Sequence, residues 1–333
     1  VADAAQRYHY HHQLKAGANT LGAHLCRLLV RNVVKQMQSS GVYKDRHFAT
    51  EFIEYMTNKD NARTDRDAYC EDYIRRYFEN YSNGNDILNC AVPQQDDWNA
   101  AAHGGVIRPL ILSMLFAENS FKSVGIAMQH ANITHRSETV SSVLAYLTPI
   151  VLNVINGKST LKEEVLSNAQ QLRIHLPIIS GKALFEAYHA AKGPKNIDKT
   201  VMYKMHTEYE AKPFDVQQYD KEHKEEEVVY QRISTACYPE HGIPLILYTL
   251  IHCDFAFEKS LLFNANCGGD NVHRGMILGL LLGAMVGNDE NDPNYKELER
   301  LKKGLVDYQQ LQQEIDSFAD CVCSKRISNS PKL

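Results

Sequence analysis

Apolar residues recur at helical spacing along most of the chain, a pattern that predicts an all-α protein. Leu21, Leu25, Leu28 and Leu29 mark one face of a helix from Asn19 to Gln38, stopped by Ser39-Ser40-Gly41. Arg27, Arg31 and Lys35 fall on the opposite face, which is expected to be wet. Phe48, Phe52, Tyr55 and Met56 define a second amphipathic helix, and Tyr69, Tyr73, Tyr77 and Tyr81 repeat every four residues before Asn83-Gly84. Rings at that spacing are expected to pack inward with their hydroxyls at the rim, rather than to stack on bases. Val140, Val143, Leu144, Leu147, Val151 and Val154 form a further helical face, introduced by Ser137 with Glu138 in the first turn. The alternation of a half-buried strand is scarce, so a sheet-based α/β fold is disfavoured.

The most informative stretch is Asn264-Ala265-Asn266-Cys267-Gly268-Gly269-Asp270-Asn271-Val272-His273-Arg274-Gly275, followed directly by an apolar run to Gly287. Gly268-Gly269 permits a tight turn, and Gly275, Gly279, Gly283 and Gly287 recur every four residues, a face expected to admit a neighbouring helix closely. A helix apolar nearly all round is expected to be buried on all sides, its start delivering Asp270, Asn271, His273 and Arg274 to the floor of a cleft. Local chemistry leaves two readings open. Asp270 is a helix cap with Arg274 paired to a carboxylate, or the cluster is a site.

Composition narrows the field. A net charge of -4 and a pI near 6.4 give no basic stripe for displacing counterions, which argues against nucleic acid as a partner. Eight scattered cysteines lack the spacing of a disulfide-stapled domain and suggest reduced thiols in an intracellular, cytoplasmic setting. Cys321-x-Cys323 has no second pair to complete a zinc site. The longest apolar run, Met276 to Val286, falls short of the roughly 20 residues that span a bilayer, and residues 1–30 lack a signal pattern. No membrane association is expected. Residues 194–228 read as a polar excursion rather than a linker, residues 288–333 as a C-terminal helical extension, and residues 1–333 as a single domain.

The GGDNVHRG segment with its following helix resembles the C-terminal metal motif of ADP-ribosylglycohydrolases, in a branch where an N-V-H-R-G run follows the aspartate. Other segments agree in order: residues 8–29, with Tyr-His and then A-G-x-N-T-L, the D-x-Y-x-E-x-Y run from Asp67 to Tyr73, Thr134-His135, and Ala236-Cys237-Tyr238-Pro239-Glu240 with Pro244. The resemblance implies a compact, mostly orthogonal α-helical bundle whose cleft holds two magnesium ions. It also implies cleavage of the bond joining ADP-ribose to a protein side chain or another acceptor. Asp270 would then be the principal catalytic and metal-binding carboxylate, aided by Asp96 or Asp97. Gly268, Gly269, Asn271, His273, Arg274 and Asn99 would contact ADP-ribose.

Two dications about 4 Å apart repel by roughly 17 kcal/mol at an effective dielectric of about 20, so several carboxylates are needed. This chain departs from the family pattern where they are expected. The N-terminal Gly-Asp motif would precede Val1. Val272 and His273 replace the second aspartate and the threonine of the C-terminal run, and the central segment places Asn99 and Ala100 where an aspartate and threonine are expected. His241 follows Glu240 where an acid is expected, and His103, His241 and His273 are the residues that could form a transition-metal site instead. The departures predict lost or impaired hydrolase activity, with the cleft retained for ADP-ribose or ADP-ribosylated protein, or the bundle used in protein assembly. The alternative is an active magnesium-dependent hydrolase.

Overall fold

The computed structural model describes residues 10–11, 13–57, 69–97, 100–171, 175–177, 209–211, 220–229, 233 and 235–329. The chain divides into two compact units, one of residues 1–100, 104–152 and 299–333, the other of residues 101–103 and 153–298.

The first unit is built around α1 (Leu21–Ser40). Thr20 caps it, accepting the Ala23 N–H at 3.4 Å, and Gly41 closes it in the left-handed region, where its N–H reaches the Met37 carbonyl. Leu21, Leu25, Leu29 and Val33 are fully buried against Phe48 and Phe52 of α2 (Asp45–Thr57). Tyr73 and Tyr77 of α3 (Asp72–Ser82) join that core, as the four-residue stripe predicts, whereas Tyr81 is exposed. Helices α4 (Ile107–Ser113) and α5 (Ser120–Ala131) pack on each other, and α4 packs on α1.

Ser137 caps α6 (Glu138–Ile155), its Oγ accepting the Val140 N–H at 3.1 Å, and Val140, Leu144, Leu147 and Val151 are buried. This helix is long and apolar enough, at a mean hydropathy of 1.5, to match a membrane span by length and composition, a test that the core helix of a soluble protein also passes.

One expectation on α1 is corrected. Arg27 is not wet but buried, donating from Nε and Nη2 to Glu314 at 2.8 and 3.1 Å, and Arg31 adds a third bond at 2.9 Å. Glu314 belongs to the last helix (Tyr308–Asn329), which supplies a structural partner of α1. The same segment meets the A-G-x-N-T-L stretch. Gly17 has φ 81°, a Cβ on it would lie 2.2 Å from the Gly304 carbonyl oxygen, and its own carbonyl accepts the Val306 N–H. No L side chain fits there without backbone movement.

The second unit contains α7 (Leu161–Gln171), the antiparallel pair β1 (His175–Pro177) and β2 (Tyr209–Ala211), α8 (Pro239–His252), α9 (Phe257–Cys267) and α10 (Asn271–Val286). Helix α11 (Tyr295–Lys303) runs from the second unit into the first, ahead of α12 (Tyr308–Asn329). Every residue of α8 from His241 to Leu250 is buried, which makes it the central element of its unit.

Helix α10 is not buried on all sides. His273, Arg274, Ile277, Leu278, Leu281, Leu282 and Val286 face inward, whereas Gly275, Gly279 and Gly283 lie on a half-exposed face. Among the described residues, a Cβ on Gly279 or Gly283 would meet nothing within 4 Å, so these glycines do not serve to admit a close neighbour there.

Of residues 194–228, only 209–211 and 220–228 are described. Lys221 and Lys224 are exposed, and His252 of α8 holds the segment through Asp220 at 2.6 Å. Lys195, Lys199, Lys204 and Lys212 lie outside the described residues, as do His9, His12 and Asp67.

Candidate functional site

The Gly-Gly turn forms because both residues adopt positive φ, 69° at Gly268 and 59° at Gly269. A Cβ on Gly269 would sit 2.1 Å from the Thr235 carbonyl oxygen, the same oxygen that accepts the Asp270 N–H at 2.9 Å. The turn thereby seats Asp270 as the cap of α10. Oδ1 accepts the His273 backbone N–H at 3.4 Å and faces His273 Nδ1 at 2.9 Å, while Oδ2 faces His103 Nδ1 at 2.9 Å. A carboxylate can only accept, so both imidazoles carry their proton on Nδ1 by inference from the partner.

His103 is completely buried, and Asp270 is 14% exposed at its side chain. Burial disfavours the Asp270 charge, but His273 and His103 outweigh it and hold the carboxyl well below its usual range. Burial also pushes the His103 imidazole below its ordinary value, in spite of Asp270. Cys237, whose carbonyl accepts the His103 N–H, has its thiol pushed up to about 12, chiefly by burial and then by Asp270.

Arg274 corrects the reading that pairs it with a carboxylate. It is fully buried and donates to backbone oxygens, from Nη1 to Thr235 at 2.9 Å and from Nη2 to Gly268 at 2.6 Å, with Nε bonded to Asn264 Oδ1 at 3.1 Å. Asn271 turns back to the Ala265 carbonyl, and its own carbonyl takes the Asn264 amide. Of the cap reading, the Asp270 half is realised, and the Arg274–carboxylate half is not. Gly268, Gly269, Asp270, Asn271, His273 and Arg274 form one hydrogen-bonded cluster.

Asp96 and Asp97 belong to the other unit. Asp96 is exposed; Asp97 pairs with Arg76, which also holds Asp72 at 2.6 Å. Asn99 lies outside the described residues. His241 is buried in α8, and among the described residues no group of three His, Cys, Asp or Glu side chains is arranged to hold a metal ion. Among the described residues, the donor set at Asp270 is one carboxylate bonded to two imidazole N–H groups, which falls short of the several carboxylates that a pair of magnesium ions needs.

The other family-like segments have structural explanations. In the first unit, a Cβ on Gly104 would lie 2.7 Å from the Tyr73 ring and one on Gly105 2.6 Å from His135. These two rings meet in a tilted contact with centroids 4.2 Å apart, and Thr134 accepts from the buried Arg108, whose guanidinium lies over Phe48. A depression in this unit is lined by Asp72, Tyr73, Arg76, Val92, Ala100 and Thr134, and none of the expected site residues lines it.

The pairing of His103 with Asp270, 167 residues apart, could not be read from spacing. Its one sequence signal is Gly242, which lies against the His103 ring and leaves room for it.

Burial predicts an acid-side loss of stability. His103 and His130 both bind a proton less readily folded than unfolded, where the ordinary value is 6.5, and at His130 burial is again the main cause. Their contribution is fully present above that value. It is lost as pH falls below it, because the unfolded chain takes up protons that the folded one refuses. Asp270, also depressed, contributes above its ordinary 3.8 and loses that contribution only in stronger acid, so it does not oppose the trend. Thermal melts should move to lower temperature between about pH 7.5 and about pH 5.5, and a flat profile would contradict the neutral burial of both rings.

These features define a class, all-helical proteins in which a glycine-glycine-aspartate turn opens a long apolar helix. The chain belongs to the ADP-ribosylglycohydrolase family, whose sequence model matches residues 2–330. Among solved structures it is similar to a chain of an ADP-ribosylglycohydrolase-related protein complex, at 13% identity, covering 93% of this chain and 84% of that one with a TM-score of 0.56. That likeness bears out the all-helical bundle. No curated protein matches the chain.

Proposed function

We propose that this chain is a hydrolytically silent member of its family, one that contributes its stable helical fold as an assembly component. The observation that carries the reading is the engagement of Asp270, whose two carboxylate oxygens each face an imidazole Nδ1 at 2.9 Å. Hydrolysis at an anomeric carbon needs a polarised sugar and an activated water, and in this family the resemblance assigns that work to carboxylate-bound magnesium. Asp270 is spent on helix capping and on two histidines. Arg274 and Gly268, expected to meet ADP-ribose, are bonded to each other. Outer-face residues of α10, among them Met276, Leu280 and Ala284, are half-exposed and apolar, which suits a partner surface.

The full-length protein, incubated with magnesium and an ADP-ribosylated protein, should release no ADP-ribose, and calorimetry with ADP-ribose should show no binding. Turnover that is lost in Asp270→Asn would return the chain to the hydrolases. Binding of ADP-ribose without turnover would replace the assembly role with ligand capture.

A further inference from the structure

We propose that His103 and His273 occupy, on Asp270, the place that a divalent ion would take: an imidazole clasp that makes the start of α10 independent of metal. The inference rests on the hydrolytically silent reading and names the device behind it.

Three observations carry it. First, both carboxylate oxygens accept nitrogen donors, from two directions, and one of them, His103, is fully buried and reaches it from a three-residue turn, His103–Gly105, rather than from α10 itself. Magnesium on Oδ2 would have to share that oxygen with the His103 N–H, which already takes one of its acceptor directions. Second, the ring has little free space behind it. A Cβ on Gly242 would lie 1.8 Å from His103 Nε2 and 2.0 Å from Cε1, so the imidazole fills the volume that a side chain at position 242 would need. Third, His103 Nε2 is buried with no hydrogen-bond partner among the described residues. A buried nitrogen left unpaired is costly, and the fold tolerates it here while keeping Nδ1 on Asp270. The ring is thus held for that single bond. His273, three residues into the helix, completes the clasp from the other side through both its ring and its backbone N–H.

The test uses full-length protein with magnesium chloride as the probe. Melting temperatures in millimolar magnesium and in EDTA should coincide, for the wild type and for Asp270→Asn alike. Proton NMR should show two slowly exchanging, low-field imidazole N–H resonances that magnesium does not alter, and Asp270→Ala should remove both. A magnesium-dependent rise in melting temperature that vanishes in Asp270→Asn overturns the clasp, as does loss of either resonance on adding magnesium. Should Asp270→Ala fail to fold, Asp270→Asn and the wild-type resonances still decide the matter. The two proposals fail separately. Release of ADP-ribose by a protein that passes both tests sinks the silent reading and leaves the clasp, whereas a magnesium-dependent melt without turnover does the reverse.

Discussion

Glu314→Ala should lower the unfolding free energy by about 3–5 kcal/mol, the range for breaking a buried ion pair from one side. Glu314 and Arg27 each keep only 7% side-chain exposure. The carboxylate takes both nitrogens of the Arg27 fork together with Arg31 Nη1. This contact raises the Arg27 pKa, mainly through the hydrogen bond, and holds Glu314 low against the effect of its burial. With the carboxylate gone, Arg27 remains buried and charged without its hydrogen-bonded partner, and α12 loses its polar anchor on α1. Arg31→Ala should cost far less, under about 1 kcal/mol, because Arg31 is 41% exposed and screened by solvent. Urea denaturation of the three proteins gives the comparison. The double variant Arg27→Met with Glu314→Leu should recover most of the loss, since an apolar pair of similar volume removes the buried charge along with its partner. If Glu314→Ala and Arg31→Ala cost the same, the pair is not buried in solution.

That ion pair marks the boundary of what the sequence discloses. Helix α1 was legible from Leu21, Leu25, Leu28 and Leu29 to its Gly41 stop, and Tyr73 and Tyr77 of α3 pack inward as their period implies, because in both cases the signal and the structure are local. Arg27 was misread as wet because an arginine on the polar face of a helix is usually solvated, and its counter-charge lies 287 residues away. Helix α8 escaped notice as the central element. Pro244 falls near the helix start, where a missing N–H forfeits a single bond to Glu240, and the apolar run beyond it continues as helix. Helix α10 shows the converse error, since apolar composition on every side did not bring burial on every side. At the candidate site, the Gly-Gly turn and the capping role of Asp270 were readable from residue types alone. The identity of its two imidazole partners was not, because one of them comes from a distant turn.

Gly242→Ala should destabilise the protein by about 3 kcal/mol, at the upper end for inserting one methyl group into a packed interior. The added carbon would overlap His103 Nε2, so either the ring or the α8 backbone must move. Helix α8 is buried along its length and cannot shift without disturbing its neighbours α9 and α10. The ring can shift only by giving up its 2.9 Å bond to Asp270. His103→Ala by itself should cost about 1.5–3 kcal/mol, the value of a hydrogen bond to a charged group, with a further contribution from the cavity it leaves. The informative protein is the double variant. Alanine at position 242 then projects into space that His103→Ala has emptied, so the combined loss should fall below the sum of the two single losses by at least about 1 kcal/mol. Strict additivity would mean that the two positions do not share one volume in solution, and the socket that seats the clasp would have to be abandoned. A coupling of the expected sign would tie a glycine on the central helix to the histidine that secures Asp270, so that the family motif survives in this chain through packing around it as much as through its own residues.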